Sequence, residues 1–247
     1  MGRPCRKNQE GELTRIALAL NLADPNRALE WLDTLGATVD CYKLQMDVFG
    51  RGGPALIRRF AERTEVFLDL KFHDIPSVVA DAVTTAGELG AKLLTVHATG
   101  GEKMMRAASD AAAAFGADRP RILGVTVLTS LDAAELARAF GCTRPLEERV
   151  LELARLAQAS GCDGIVCSPQ EVRKVKTKCG SGFLAVCPGI RPAVGAKDDQ
   201  ARVATPAQAA RDGADYIVVG RPIYAAPDPV RAASEIRSEL TRTAEGG

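Results

Sequence analysis

The sequence predicts an α/β fold, a single (β/α)8 barrel, on three observations. Its 247 residues match the ~250 residues typical of one such barrel. Eight short apolar runs are continuous rather than alternating, which is typical of parallel strands that are covered on both faces. Amphipathic segments of helical length separate these runs, and eight β–α alternations without a break favour one closed barrel.

The predicted elements can be placed along the chain. The predicted strands are residues 16–21, 42–46, 66–71, 93–98, 122–128, 164–168, 183–188 and 216–220. The clearest helical patterns are residues 25–35, 54–63, 77–89, 104–115 and 146–160. A doubly wound sheet would alternate in the same way. The first strand is not followed by the G-x-G-x-x-G turn of a dinucleotide fold, so the barrel is the preferred interpretation.

No linker or low-complexity block divides the chain, so residues 13–247 are predicted to form one barrel domain. Residues 1–12 are polar, lack the apolar stretch of a signal peptide, and are predicted to form a disordered N-terminal arm. No apolar run approaches the ~20 residues that cross a bilayer. We therefore expect no membrane association.

Charge and cysteine content narrow the class of protein further. The chain has 32 basic and 31 acidic side chains, so no global field gathers nucleic acid, and any anion site must be built locally. The seven cysteines are odd in number and include no C-x-x-C pair, and the chain has two histidines. It therefore offers few ligands for a structural zinc site. We expect reduced thiols, a cytoplasmic location and no bound metal.

Charged residues mark the ends of the first three strands, where barrel enzymes place their chemistry. Asp69 and Lys71 stand two apart on the third strand and should point to the same side. Taken alone, this pair could be a solvated ion pair at a strand edge. Lys43 on the second strand and Asp74 after the third extend it into an alternating array, which favours a functional site.

A phosphate site is predicted at the other end of the chain. Barrels frequently bind phosphate through the loops after strands seven and eight. Here those loops contain Arg191, Gly220 and Arg221, and a polar loop with Gln200 follows Arg191. Guanidinium groups supply forked donors, and glycine allows close approach of the backbone. A lone Gly-Arg would be a surface turn, but two arginines at these strand ends are more specific.

Together these residues resemble the orotidine 5'-monophosphate decarboxylase family, most closely its bacterial branch. The resemblance rests first on FLDLKFHDIP at residues 67–76, which has the form D-x-K-x-x-D followed by I-P. It extends through VHATGG, VTVLTS, GIVCSPQE, PGIRP, DDQARVATP and VVGRPI, and it spans roughly residues 15–235 in family order. It implies decarboxylation of orotidine 5'-monophosphate to uridine 5'-monophosphate, without a cofactor.

The resemblance also implies roles for individual residues. Lys71 is the expected proton donor to C6 of the pyrimidine, and Asp69 is expected beside the substrate carboxylate. Asp74 is expected to reach the active site of the other subunit of a homodimer. The expected substrate-binding residues are Lys43, Ser77, Thr129, Arg191, Gln200, Gly220 and Arg221. The polar loop between Pro192 and Asp199 is the expected lid.

The sequence departs from the family pattern at two neighbouring positions. Asn21 stands where the family usually has an aspartate that contacts the ribose and the adjacent lysine, and Gln45 stands where a small glycine is common. Asparagine retains hydrogen-bonding capacity without the charge. We therefore expect Asn21 to bind the substrate, and the enzyme to be active with weakened ribose binding.

Two other interpretations stay open at this point. A metal-dependent sugar-phosphate decarboxylase or synthase could share D-x-K-x-x-D, but it would need an acidic ligand near the mouth, where Asn21 and Gln45 stand. A silent nucleotide-binding protein is suggested by Asn21, whereas Lys71 and Asp74 argue against it. His73 and His97 are interpreted as structural.

Overall fold

The computed structural model describes residues 13–21, 24–192 and 204–245. The predicted N-terminal arm, Gln200 and most of the predicted lid therefore lie outside the described residues. Eight parallel strands pair in sequence order, and the eighth pairs with the first, so the sheet is a closed barrel. The fold predicted from the sequence is confirmed.

The strands and helices alternate along the chain. The strands are β1 Arg15–Leu20, β2 Cys41–Gln45, β3 Glu65–Phe72, β4 Ala91–His97, β5 Arg121–Val125, β6 Gly164–Val166, β7 Leu184–Cys187 and β8 Tyr216–Val219. The helices are α1 Pro25–Leu35, α2 Met46–Ala61, α3 Pro76–Glu88, α4 Gly101–Ala113, α5 Ala133–Phe140, α6 Leu146–Ala159, α7 Val172–Cys179, α8 Pro206–Arg211, α9 Arg221–Tyr224 and α10 Pro229–Glu245. Among these helices none is long and apolar enough to cross a membrane.

All eight predicted strands are present, but seven end before their apolar runs do. Of the residues that directly follow the strand ends, Asn21, Pro188 and Gly220 line the mouth. Helix α2 begins at Met46, well before the predicted start at Pro54. It is broken at Gly53, whose φ of 62° favours glycine, and Pro54 then begins the second segment. The proline pattern therefore identified only the second part of this helix.

Two apolar layers hold the barrel. The larger layer lies between the strands and the surrounding helices, and alternate strand residues such as Ile16, Leu18 and Leu68 belong to it. The smaller layer fills the barrel interior with Ala17, Phe67 and their neighbours. Because side chains alternate along a strand, the residues two positions beyond this interior layer also point inward, at the carboxyl-terminal mouth. That periodicity places Lys43 and Asp69 in the mouth.

Candidate active site

A cavity of about 250 Å³ opens at the carboxyl ends of the strands. Charged and amide groups from β1 to β3 line one side, valines come from the region of β5 to β8, and two arginines follow β7 and β8. Its lining residues are Ala19, Asn21, Lys43, Gln45, Phe67, Asp69, Lys71, Val125, Val127, Leu128, Thr129, Val166, Val186, Pro188, Gly189, Arg191, Val218, Gly220, Arg221 and Tyr224. A cavity with apolar walls and charged groups on different strands suits a ligand that carries more than one charged group.

Asp69 is the centre of the charged side. Its Oδ2 accepts from Lys43 Nζ at 2.8 Å, and its Oδ1 accepts from Lys71 Nζ at 2.9 Å. The Thr95 hydroxyl also donates to Oδ1, at 2.9 Å. The Lys43 and Asp69 side chains are buried, whereas that of Lys71 is 34% exposed. One carboxylate therefore holds two ammonium groups, and Lys71 is the more exposed of the two.

The backbone around Lys71 is irregular. The pairing of β3 with β4 jumps from Leu68–Leu94 to Phe72–Val96, so extra residues of β3 bulge out of the ladder. Lys71 lies in this bulge with φ of 51°, in the left-handed region. Its backbone N–H donates to Thr95 Oγ1 at 2.9 Å. The bulge aims the Lys71 ammonium back toward Asp69, and such strain in a non-glycine residue is concentrated at functional sites.

Electrostatics keep the carboxylate charged. Burial by itself raises the pKa of Asp69, but the charges of Lys43 and Lys71 outweigh it and lower that pKa to about 2. Burial lowers the pKa of Lys43, and its ion pair with Asp69 counteracts that effect. The arrangement of two ammonium groups and one carboxylate has one positive charge in excess.

Gln45 extends this array toward β1. Its Oε1 accepts from Lys43 Nζ at 2.7 Å, and its Nε2 donates to Asn21 Oδ1. Neither contact follows from the sequence pattern, although both residues depart from the family pattern. The structure therefore connects the two departures into one chain of hydrogen bonds.

Arg191 and Arg221 form the cationic side of the cavity. Arg191 follows β7, and Arg221 opens α9 directly after Gly220. A Cβ at Gly220 would lie 3.2 Å from the Ala19 carbonyl oxygen, so glycine lets this loop pack close to β1. Burial and the nearby charge of Arg221 both lower the pKa of Arg191. Two guanidinium groups held close together repel, and a bound anion would relieve that repulsion.

The chain is similar to known proteins in both sequence and fold. The family model described as "Orotidine 5'-phosphate decarboxylase / HUMPS family" matches residues 14–236. The chain belongs to this family. A relative from Sodalis glossinidius named orotidine 5'-phosphate decarboxylase is 47% identical over 226 residues, which are 91% of this chain and 89% of the relative. One from Trichlorobacter lovleyi with the same name is 46% identical and covers 92% of this chain and 95% of its own.

Solved structures give the same assignment. The crystal structure of orotidine 5'-phosphate decarboxylase from Lactobacillus acidophilus superimposes with a TM-score of 0.82 at 38% identity. The match covers 93% of this chain and 99% of that one. The family resemblance inferred from the sequence motifs is therefore confirmed.

Eight predicted site residues come together around the cavity. They are Asn21, Lys43, Asp69, Lys71, Thr129, Arg191, Gly220 and Arg221. Ser77 and Asp74 are not among the lining residues, and both are exposed beside the mouth. The Asp74 carboxylate accepts from its neighbouring Ile75 N–H at 2.7 Å. The cavity of the described chain thus does not include Asp74.

Sequence reasoning missed Thr95 and Tyr224. Thr95 is fully buried, and it holds both the Asp69 carboxylate and the Lys71 backbone. A single hydroxyl within the apolar run LLTVH was the available signal. The rings of His73 and His97 lie at a tilt of 39° with their centroids 5.2 Å apart, and neither residue lines the cavity. Burial, followed by the charges of His73 and Lys71, lowers the pKa of His97.

Proposed function

We propose that the chain decarboxylates orotidine 5'-monophosphate to uridine 5'-monophosphate in pyrimidine nucleotide synthesis. The observation that carries the proposal is the Lys71 ammonium, held 2.9 Å from Asp69 at the mouth of a cavity whose far wall holds Arg191 and Arg221. The names of the family and of its relatives support the same reaction.

The proposed chemical step uses Lys71 twice. The bond between C6 and the carboxylate carbon breaks, carbon dioxide leaves, and the electron pair remains on C6. A preorganised ammonium stabilises this negative charge as it develops. Lys71 then transfers one proton to C6 and recovers a proton from solvent. The proposed role of Asp69 is to fix the Lys71 ammonium beside the substrate carboxylate.

The opposite wall is the proposed binding site of the 5'-phosphate. Arg191 and Arg221 supply the cationic donors, and the backbone at Gly220 supports the close approach. Gln200, which lies outside the described residues, is a further proposed phosphate ligand. The phosphate is remote from C6, so its binding energy can act on closure of the site and on the orientation of the pyrimidine.

The pyrimidine and the ribose occupy the middle of the cavity in this proposal. The valines pack against the ring, and Thr129 contacts its polar edge. Lys43 and Asn21 lie on the side of the charged array, where they are the proposed contacts to ribose hydroxyls. Ser77 is proposed to complete this pocket from the amino-terminal end of α3.

Residues beside the mouth support a homodimer in which Asp74 completes the partner's site. Asp74 is exposed, and the apolar side chains of Met46, Ile75 and Val78 are 60%, 62% and 46% exposed. Exposed apolar groups around a charged residue are suited to burial against a second copy. A cytoplasmic location remains a prediction from the cysteine content.

The reaction is tested by the fall in ultraviolet absorbance when protein is mixed with orotidine 5'-monophosphate. We expect turnover by the wild type without added metal, and a loss of at least about 10³-fold in Lys71→Ala, because a charge-stabilising group and a proton donor are both removed. Tight binding of uridine 5'-monophosphate without turnover would instead indicate the silent nucleotide-binding protein.

The shared site is tested by mixing two inactive variants, Lys71→Ala and Asp74→Ala. In a mixed dimer one site retains Lys71 from one chain and Asp74 from the other. Random exchange of subunits should therefore restore about a quarter of wild-type activity. No recovery after verified exchange would contradict the proposed role of Asp74.

The metal-dependent sugar-phosphate enzyme is less well supported. Among the described residues no three histidine, cysteine or acidic side chains are grouped to hold a metal ion. The ends of β1 and β2 offer the amides of Asn21 and Gln45 in the cavity. Activity that is abolished by EDTA and restored by Mg²⁺ would favour this alternative.

A further inference from the structure

Gln45 occupies a position that permits only one arrangement of hydrogen bonds. The Lys43 ammonium can only donate, so Gln45 must turn its carbonyl oxygen toward it, at 2.7 Å. The amide nitrogen of Gln45 is then directed at Asn21, whose side-chain oxygen must accept. The chain Lys43–Gln45–Asn21 is therefore fixed in direction by the chemistry of its first member.

This contact matters because Lys43 is buried and its other acceptor is shared. The Lys43 side chain is 7% exposed, and the carboxylate of Asp69 also receives Lys71 and Thr95. A buried ammonium needs acceptors for its N–H groups, and each acceptor that is lost destabilises the charged form. Gln45 supplies one such acceptor without adding charge.

The neutrality of Gln45 matters for the charge around Lys43. A glutamate at this position would provide the same acceptor and would also add a negative charge beside Asp69 and Asp47. The amide of Gln45 therefore holds the Lys43 ammonium without adding a further anion to the site.

We propose that Gln45 is a positioning residue that keeps the Lys43 ammonium charged and directed into the cavity. This inference rests on the proposed function for the identity of the ligand that enters the cavity. Gln45 acts through its contact with Lys43 and is not itself one of the groups that react.

Several charged groups near Lys43 influence its pKa, so they decide how a titration of Lys43 is interpreted. Asp69 and Lys71 face it from β3, and Asp47 lies near it at the start of α2. From β1 the neighbouring side chain is the neutral Asn21, which contacts Gln45. A change at Gln45 leaves Asp69, Lys71 and Asp47 in place, so the direction of the Lys43 shift isolates the contribution of the amide.

The test compares Gln45→Met with Gln45→Glu. Methionine retains the length of the side chain and removes the acceptor, so the pKa of Lys43 should fall and the alkaline limb of kcat/KM should move to lower pH. Glutamate adds a negative charge, so both should move to higher pH. The Lys43 pKa is measured without substrate, from the pH dependence of its 13Cε chemical shift, and the kinetics are measured by absorbance.

The two variants should also differ in how they lose activity. We expect Gln45→Met to lower kcat/KM about tenfold, the usual effect of losing one hydrogen bond to a charged group. Gln45→Glu should raise KM for orotidine 5'-monophosphate more than it lowers kcat, because the added negative charge repels the anionic substrate. A role confined to packing would not move the Lys43 titration in opposite directions.

Gln208→Met is the matched control. Gln208 is an exposed residue of α8 whose side chain donates to Asp212 and accepts from Arg211, so it also loses hydrogen bonds without touching the cavity. It should leave the Lys43 titration and the kinetics unchanged. Unchanged or parallel shifts in both Gln45 variants would overturn the proposal. Absence of turnover by the wild type would instead refute the proposed function, and the Lys43 titration would still decide the role of Gln45.

Discussion

The two ends of strand β3 hold charged clusters in opposite ways. At the amino-terminal end, Glu65 accepts from both terminal nitrogens of Arg15, at 3.2 and 2.9 Å, and from the Tyr216 hydroxyl at 3.2 Å. At the carboxyl-terminal end, the Asp69 carboxylate is shared between the ammonium groups of Lys43 and Lys71. The first cluster pairs one anion with one cation, whereas the second has an excess cation.

The difference separates the groups that stabilise the barrel from the groups that meet a ligand. The Arg15–Glu65 pair has the fork geometry in which both partners satisfy each other. The Lys71 ammonium has cavity on one side, and its backbone has a φ of 51° in a bulge. An excess of charge and a strained backbone both oppose folding, and they are retained where the site uses them.

The largest expected effect comes from removing the shared carboxylate. Asp69→Ala leaves the buried Lys43 ammonium without its anion, so the free energy of unfolding should fall by about 3–5 kcal/mol. Because Lys71 also loses its anchor, kcat/KM should fall at least about 10³-fold. Urea denaturation gives the first quantity, and the absorbance assay gives the second.

Asp69→Asn is the matched control for this change. Asparagine keeps an acceptor for Lys43 and fills the same space, so it should lose less stability than Asp69→Ala while activity still falls strongly. Wild-type kcat/KM in either variant would contradict a catalytic role for the array at the mouth.

A smaller effect is expected on the opposite wall of the cavity. Arg221→Ala should raise KM for orotidine 5'-monophosphate about 10- to 100-fold, the usual range for losing a charge-assisted hydrogen bond to phosphate. Arg221→Lys should recover only part of the loss, because an ammonium lacks the forked donors of arginine. If orotidine without its phosphate lost as much kcat/KM in Arg221→Ala as the nucleotide does, Arg221 would not bind the phosphate.

Sequence reasoning predicted the architecture and much of the site because both follow from periodicity. Continuous apolar runs identified all eight strands, and the side-chain alternation along β2 and β3 placed Lys43 and Asp69 on the inner face of the mouth. The arginines after strands seven and eight could be predicted because neighbouring loops meet at one rim of a barrel.

The local geometry of the site could not be read from the same pattern. Regular alternation predicts that Asp69 and Lys71 share a face, and both do line the cavity, but a bulge with a left-handed residue brings them together. The Gln45–Asn21 contact depends on how far β1 and β2 are offset, which no single strand encodes. The helical patterns placed on the sequence did not include α5, α7, α8, α9 or α10. All of these except α10 have eight residues or fewer, which give a short periodic signal.

The amino-terminal end of β3, where Glu65 pairs with Arg15, should show the opposite pattern. A change there should lower stability and leave activity nearly unchanged. Glu65→Gln weakens the pairing with Arg15 and keeps the size of the side chain, so the free energy of unfolding should fall by about 2 kcal/mol. Because Glu65 does not line the cavity, kcat/KM should stay within about twofold of the wild type. A loss of activity at full stability would show that the two ends of the strand are not functionally separate.

The smallest effect concerns the backbone at Lys71. Lys71→Gly and Lys71→Ala both remove the ammonium, but only glycine adopts a φ of 51° without a Cβ penalty. The glycine variant should therefore be more stable than the alanine variant by about 1 kcal/mol in urea denaturation.

Lys92 provides the control, because it lies within β4 and is not among the positive-φ residues. There, Lys92→Gly should be less stable than Lys92→Ala, since glycine loses more backbone entropy in a regular strand. If both positions favoured alanine, the bulge would carry no strain, and its shape would follow from the Asp69 and Thr95 contacts alone.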